Sequence, residues 1–166
     1  MPSQVEQVIE LCRRVMDGVP TGVAVMTLID SDGAPHGMTI SSLTTVSADP
    51  PSVLMCIGGA ASSRPYLVEG QRFCANLLAA DQTVQSADFA YGAEDPFEVH
   101  DWTSADDGTP ILADTAAHLL CDVERVVDHH GIGVVLAAVV GGALDKDEAL
   151  VYRNRTYYGR LVPVDR

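Results

Sequence analysis

The sequence predicts a mainly β protein, an antiparallel β-barrel with a few peripheral helices, and two observations carry that expectation. Strand-like apolar runs outnumber helical patterns by about two to one. They follow one another at the close spacing of antiparallel sheets, without the regular strand–helix alternation that builds a parallel sheet. The stretch "HGMTISSLTTVSADPP" (residues 36–51) places hydroxyls on six of the nine residues from Thr39 to Ser47 and carries no charge there. With 166 residues, 47% of them apolar, the chain can bury one sizeable core. No repeat, low-complexity tract or linker divides it, so one domain over residues 1–166 is expected.

The elements follow in order. Ser3 and Glu6 have capping-box spacing, and Val5, Val8, Ile9, Cys12 and Met16 recur at helical intervals until Gly18. "GVAVMTLI" (22–29) is a strand, "DSDGAP" a turn, and the hydroxyl-rich stretch a second extended segment, together a hairpin. Pro50 and Pro51 belong to a connection, since proline breaks a ladder. "SVLMCI" (52–57) is a third strand. "GGAASSRPYLVEG" gives a Gly-rich loop, a Ser62/Ser63 cap and a short helix with Pro65 in its first turn. "RFCANLL" (72–78) is a fourth strand, and residues 81–91 are helical. Residues 92–110 form a long acidic loop of the kind that covers a site or partner. "AHLLCDVERVV", "GIGVVLAAVVGGAL" and "ALVYRN" close the chain as three β segments.

Charge and cysteine usage exclude several function classes. Twenty-three acidic against ten basic side chains leave a formal charge of −13, which opposes nucleic acid or an anionic membrane as partner. An anionic ligand must then be held by local features such as an arginine or free backbone amides. Cys12, Cys56, Cys74 and Cys121 are far apart and form no CxxC, so they read as four buried, reduced thiols. No leader-like N-terminus or membrane-length apolar run is present, and the cytoplasm is the expected location.

Several motifs fall short. "GIGVVL" at Gly131 has Leu136 at the third glycine position and no capped helix after it, so it is not a dinucleotide loop. Neither GxxxxGK[ST] nor GxSxG occurs. His118, Cys121, Asp128, His129 and His130 suggest a metal, but close pairs on a strand face opposite sides, so no metal is expected. What remains is the hydroxyl-rich segment. Alternation puts Thr39, Ser41 and Leu43 on one face and Ser42, Thr44 and Val46 on the other. Such neutral donors and acceptors suit a planar polar heterocycle, and equally an edge strand with its hydroxyls in water. Ser62, Ser63 and Arg64 after a Gly-Gly loop can hold a phosphate, or serve as a plain cap. Asn76, inside an apolar strand, needs a partner in backbone or ligand.

With these residues in view, the chain resembles the flavin reductase-like family, the reductase components of two-component flavin-dependent monooxygenases. The resemblance rests on "PTGVAVMT", "HGMTISSLTTVSADPPSVLMCI", "SSRPY", "FCANLLAADQ", "FAYG", Asp101-Trp102, "AHLLCDVERVVDHH" and "LVYRNRTYYGRL", in the family's order over nearly the whole chain. It implies an FMN-binding split β-barrel of Greek-key type. It implies a flavin, FAD or FMN, lying near Thr39, Ser41, Ser42 and Leu43, with Ser47 beside the ribityl or phosphate. Ser62, Ser63 and Arg64 would then sit close to the phosphate. The strand carrying Phe73, Ala75 and Asn76 would contact flavin partly through its backbone, and Tyr158 would line the same pocket. His129 would help place the nicotinamide, as the catalytic candidate. Val127, and the pair His130-Gly131, depart from the family's residues around that histidine.

The reaction so implied is hydride transfer from NADH, with NADPH as the other donor, to oxidised flavin, which leaves reduced for a separate monooxygenase. Both reactive groups belong to the cofactors, which explains why no acid–base pair stands out. The rival readings are a flavin carrier or storage protein on the same barrel, and a haem-binding or vitamin-oxidising relative. A homodimer is the family's usual assembly, with the N-terminal helix and the 92–110 loop as candidate contacts.

Overall fold

The computed structural model describes residues 2–92 and 94–163. The first helix, α1 (Gln4–Asp17), starts as its capping box requires. Ser3 Oγ accepts from the Glu6 N–H at 3.2 Å, and the Glu6 carboxylate accepts from the Ser3 N–H at 2.6 Å. After it come β1 (Thr21–Gly22), β2 (Ala24–Ile29), β3 (Pro35–Ile40), β4 (Thr44–Ala48) and β5 (Pro51–Gly58). A 3-10 turn (Arg64–Tyr66) leads to β6 (Arg72–Leu77), α2 (Thr83–Tyr91) and α3 (Pro96–Val99). The remaining strands are β7 (Trp102–Ser104), β8 (Pro110–Leu112), β9 (Ala117–His129), β10 (Ile132–Leu144), β11 (Val151–Arg153) and β12 (Thr156–Tyr158).

Seven strands form the main sheet, in the order β3-β2-β6-β9-β10-β5-β4 with antiparallel neighbours. Its two edge strands, β3 and β4, are consecutive in the chain and are joined by only Ser41, Ser42 and Leu43. Four Cα steps reach at most roughly 14 Å, so the edges must approach and the sheet must roll up. Ser42 stitches the link to the next strand, accepting from the Cys56 N–H at 2.9 Å and donating to the Cys56 carbonyl at 3.1 Å. The expected rolled antiparallel sheet is therefore present.

The barrel interior is filled by alternate residues. Val53, Met55 and Ile57 point inward from β5, while Ser52, Leu54 and Cys56 face out. Met26, Leu28, Phe73, Ala75, Cys121, Val123 and Val135 complete this core. β2 is buried at five successive positions, because a second cluster covers its outer face. Val25, Leu78, Phe89, Leu112 and Leu150 meet there, flanked by Phe97, Trp102 and Tyr152. α2, α3, the β7–β8 hairpin and β11 thus form an outer layer over β2 and β6.

Several expectations are corrected. The hydroxyl-rich stretch is not one extended segment, because it breaks at the Ser41–Leu43 link and its halves lie on opposite edges. Pro51 belongs to β5, paired with Ala48, where a first strand position tolerates proline. Residues 92–110 hold α3 and β7, anchored by Phe97 and Trp102 packed edge to face at 5.9 Å. The strand predicted at "ALVYRN" continues into a hairpin with β12 through a turn at Asn154 and Arg155, both at positive φ. Of the four thiols, only Cys74 and Cys121 are buried, whereas Cys12 and Cys56 are exposed. Burial raises the pKa of Cys74 and pushes that of Cys121 up to about 12.

α1 buries none of its residues, and Val5, Val8, Ile9, Leu11, Val15 and Met16 all remain exposed. Its C-terminal end is tied to the β11–β12 turn. The Asn154 N–H donates to the Asp17 carbonyl at 2.6 Å, and Arg153 Nε donates to the Gly18 carbonyl at 2.9 Å.

Candidate functional site

The Ser41–Leu43 link places chemistry on both of its sides. On one side a cleft of about 180 Å³ opens between β3, α2 and the β11–β12 hairpin. Thr39 and Ser41 face Ser86, Tyr91, Tyr152 and Tyr157 across it. Thr39 Oγ1 donates to the Ser86 carbonyl at 2.7 Å, and the hydroxyls of Ser86 and Tyr157 lie 2.8 Å apart. Tyr152 and Tyr157 pack with ring centroids 5.1 Å apart. The walls are aromatic with a few hydroxyls and no charge, which suits a flat, neutral ring.

On the other side, the end of β5 meets the loop 59–63 and the β9–β10 turn. The turn is a tight two-residue reversal at His130 (φ 53°) and Gly131 (φ 78°), with the Gly131 N–H donating to Asp128 Oδ1 at 3.2 Å. So the departures from the family around His129 still leave a compact turn. The loop and the turn touch at their backbones: a β-carbon on Gly59 would lie 2.5 Å from the Gly131 carbonyl oxygen. His129 is exposed at the end of β9, its ring 4.3 Å from that of His130. Arg64, half-buried in the 3-10 turn, lays its guanidinium over Gly133 of β10. Arg13, Arg72, Arg155 and Arg160 lie against carboxylates. Arg64 has no such partner among the described residues, so its planar fork of donors is available to an anion.

The predicted residues divide accordingly. Thr39 and Ser41 line the aromatic cleft. Ser42 spends its hydroxyl on Cys56, and Leu43 packs on the barrel core. Ser62 is exposed on the loop beside Arg64. Ser63, expected at the phosphate, is 1% exposed and turned inward against Met38 Sδ at 3.2 Å, and it makes no helix cap. Ser47 pairs with Ser52 and accepts from the Asp49 N–H, at the opposite end of β5 from Gly58. Six residues of strand separate those ends by roughly 20 Å, so Ser47 and Arg64 do not share one phosphate.

The β6 residues are also corrected. Phe73, Ala75 and Asn76 are fully buried, and their strand is paired on both sides by β2 and β9. Asn76 is a structural staple. Its Nδ2 donates to the Val25 carbonyl and to Thr27 Oγ1, each at 3.0 Å, and its Oδ1 accepts from the Leu112 N–H at 2.9 Å. Tyr158 pairs with Val151 outside the cleft, whereas its neighbour Tyr157 lines it. Sequence reasoning missed Tyr157, Tyr152, Tyr91 and Ser86. The alternation of "VYRNRTYY" about its turn carries the signal for the first two. No group of three metal-ligating side chains converges among the described residues, and no described helix is long and apolar enough to cross a membrane.

Comparison with known proteins gives this geometry a family. A flavin reductase (NADPH) from Lentzea aerocolonigenes is 40% identical over 149 residues, covering 87% of this chain and 86% of that one. The solved structure of an NADH:FAD oxidoreductase from Streptomyces globisporus, in complex with NAD and FAD fragments, superposes with a TM-score of 0.85 at 30% identity. That match covers 98% of this chain and 97% of the other. The styrene monooxygenase flavin reductase of Pseudomonas putida superposes with a TM-score of 0.83 at 30% identity, over 92% of this chain and 98% of that one. Residues 16–160 match the flavin reductase like domain, and the chain belongs to that family.

Proposed function

We propose that the protein is an NAD(P)H-dependent flavin reductase that delivers reduced FMN or FAD to a partner flavin-dependent monooxygenase. The observation that carries this reading is the convergence of link, loop and turn: Ser42 is stitched to Cys56, and Gly59 lies against Gly131. The segments that the family resemblance assigns to flavin and to nicotinamide thereby become neighbours. Bound together, the two cofactors supply the hydride chemistry, from the nicotinamide ring to the flavin ring. The chain's work is placement. Ser41 offers a neutral hydroxyl to a planar ring and Thr39, whose proton is on the Ser86 carbonyl, offers an acceptor, while Arg64 with the backbone of the 59–63 loop offers donors to a phosphate. His129 orients the nicotinamide and moves no proton. The aromatic cleft keeps water from one side of the bound rings.

We further propose a homodimer acting in the cytoplasm, with α1 as a contact surface. Six exposed aliphatic side chains on a 14-residue helix are more than a lone surface helix ordinarily leaves to water.

The test is the loss of NADH or NADPH absorbance on adding purified protein with FMN and then FAD under air. Turnover saturating with added flavin supports the reductase reading. Flavin binding without turnover replaces it with a carrier or storage protein.

A further inference from the structure

The sequence "GIG" at residues 131–133 has two glycines, and a dinucleotide loop explains neither of them. Gly131 is accounted for by its turn, at φ 78°. Gly133 is not. It is buried inside β10, paired with Asp128 on one side and Ile57 on the other, and lies outside the left-handed region. Glycine inside a strand weakens it and marks a close approach. The approaching group is Arg64: a β-carbon on Gly133 would lie 2.5 Å from its Nε, 2.9 Å from Cζ and 3.1 Å from Nη2. These are the three nearest heavy atoms, so the space a side chain would fill is taken by the guanidinium itself.

We propose that Gly133 is a specificity-determining position: its missing side chain seats the Arg64 guanidinium at the flavin phosphate, and so sets the preference for FMN and FAD over riboflavin. The proposal rests on the reading of Arg64 as a phosphate contact. Arg64 starts the 3-10 turn with its N–H on the Ala61 carbonyl at 3.0 Å, and Gly59 abuts Gly131, so the guanidinium's origin is fixed from two sides. The fork is then aimed by the surface it lies on. In a chain of charge −13 an anion is held only by such aimed donors, not by the general field. A methyl group at position 133 meets the flexible end of Arg64, so it displaces the fork and leaves the strand in place.

The experiment measures dissociation constants for riboflavin, FMN and FAD by flavin fluorescence. It compares wild type, Gly133→Ala, Arg64→Ala and the double variant. Gly133→Ala is expected to weaken FMN about tenfold and riboflavin less than about twofold, as loss of a charge-assisted hydrogen bond would. The double variant is expected to match Arg64→Ala, because both changes remove the same contact. If Arg64→Ala weakens FMN and Gly133→Ala does not, the seat is overturned while the phosphate reading stands. If Arg64→Ala leaves the FMN preference intact, the phosphate reading falls and the proposal falls with it. Should Gly133→Ala fail to fold, the double variant decides: folding restored supports the seat, and continued failure overturns it.

Discussion

Replacing Asn76 with alanine separates a structural role from a ligand role. The side chain is fully buried and ties three elements together, donating to β2 at Val25 and Thr27 and accepting from β8 at Leu112. Alanine leaves the buried Leu112 N–H without its partner, a loss of about 1–3 kcal/mol, and each donated bond adds about 1 kcal/mol. Thr27 is cushioned, because its hydroxyl still donates to the Pro110 carbonyl. The expected cost is therefore roughly 3 kcal/mol, which for a chain of this size lowers Tm by about 6–12 °C. Leu112 ends the β7–β8 hairpin, so protease cleavage within residues 92–110 is expected to accelerate as well. Scanning calorimetry reads the first effect, limited proteolysis the second, and flavin titration below the melting range the control. Weaker flavin binding by about tenfold, with Tm lowered by less than about 2 °C, would make Asn76 a cofactor contact and refute this reasoning.

Three further outcomes follow from the site and its surroundings. His129→Ala is expected to lower kcat/KM for the nicotinamide donor by about 10–100-fold without changing the flavin dissociation constant, and steady-state kinetics with equilibrium binding checks both. Tyr157→Phe, which removes the hydroxyl facing Ser86, is expected to change a cofactor KM several-fold, whereas Tyr158→Phe is expected to be silent. The Arg72 guanidinium holds the Asp122 carboxyl below its ordinary range, bonded at 2.7 and 2.9 Å. A depressed carboxylate contributes stability above the unfolded pKa of about 4 and loses it as pH falls through the folded value. Urea midpoints are thus expected to fall below about pH 4, and less steeply in Asp122→Asn than in wild type.

The elements legible in the sequence are those whose signal is local. The capping box of Ser3 and Glu6 fixed the start of α1, and the alternation of Val53, Met55 and Ile57 gave β5 its inner face. What was not legible depends on pairing. The run from Thr39 to Ser47 keeps one composition throughout, so nothing local marks where it leaves one edge of the sheet for the other. For Ser63 and Asn76 the sequence leaves cap, backbone and ligand open and the family resemblance points to flavin, but the partners that satisfy them, Met38, Val25 and Leu112, lie tens of residues away. That Tyr157 and not Tyr158 lines the cleft is a matter of parity. One residue of offset on a strand reverses the face, and a turn built on Asn154 and Arg155 offers no glycine to set the count. By contrast, Thr39 and Ser41 lie where a neutral cleft opens and Arg64 keeps its guanidinium clear of any described carboxylate, because a strand edge and a loop leave such groups at the surface, and they stay candidates for the cofactor site.

The main sheet contains three hairpins of neighbouring strands, β2–β3, β4–β5 and β9–β10, each able to form from contacts close in the sequence. Every other pairing in that sheet joins distant segments, and these are slow to form. The link bearing Ser41 runs from the first hairpin to the second, Arg64 follows the second, and His129 closes the third. The site proposed for the cofactors therefore draws on all three hairpins and is complete only when the long-range pairings between them are made. A ligand bound there stabilises only the complete structure, by about 2.7 kcal/mol when present at a hundred times its dissociation constant. A chain whose sheet is still open consequently lacks the surface on which the proposed cofactor site is built.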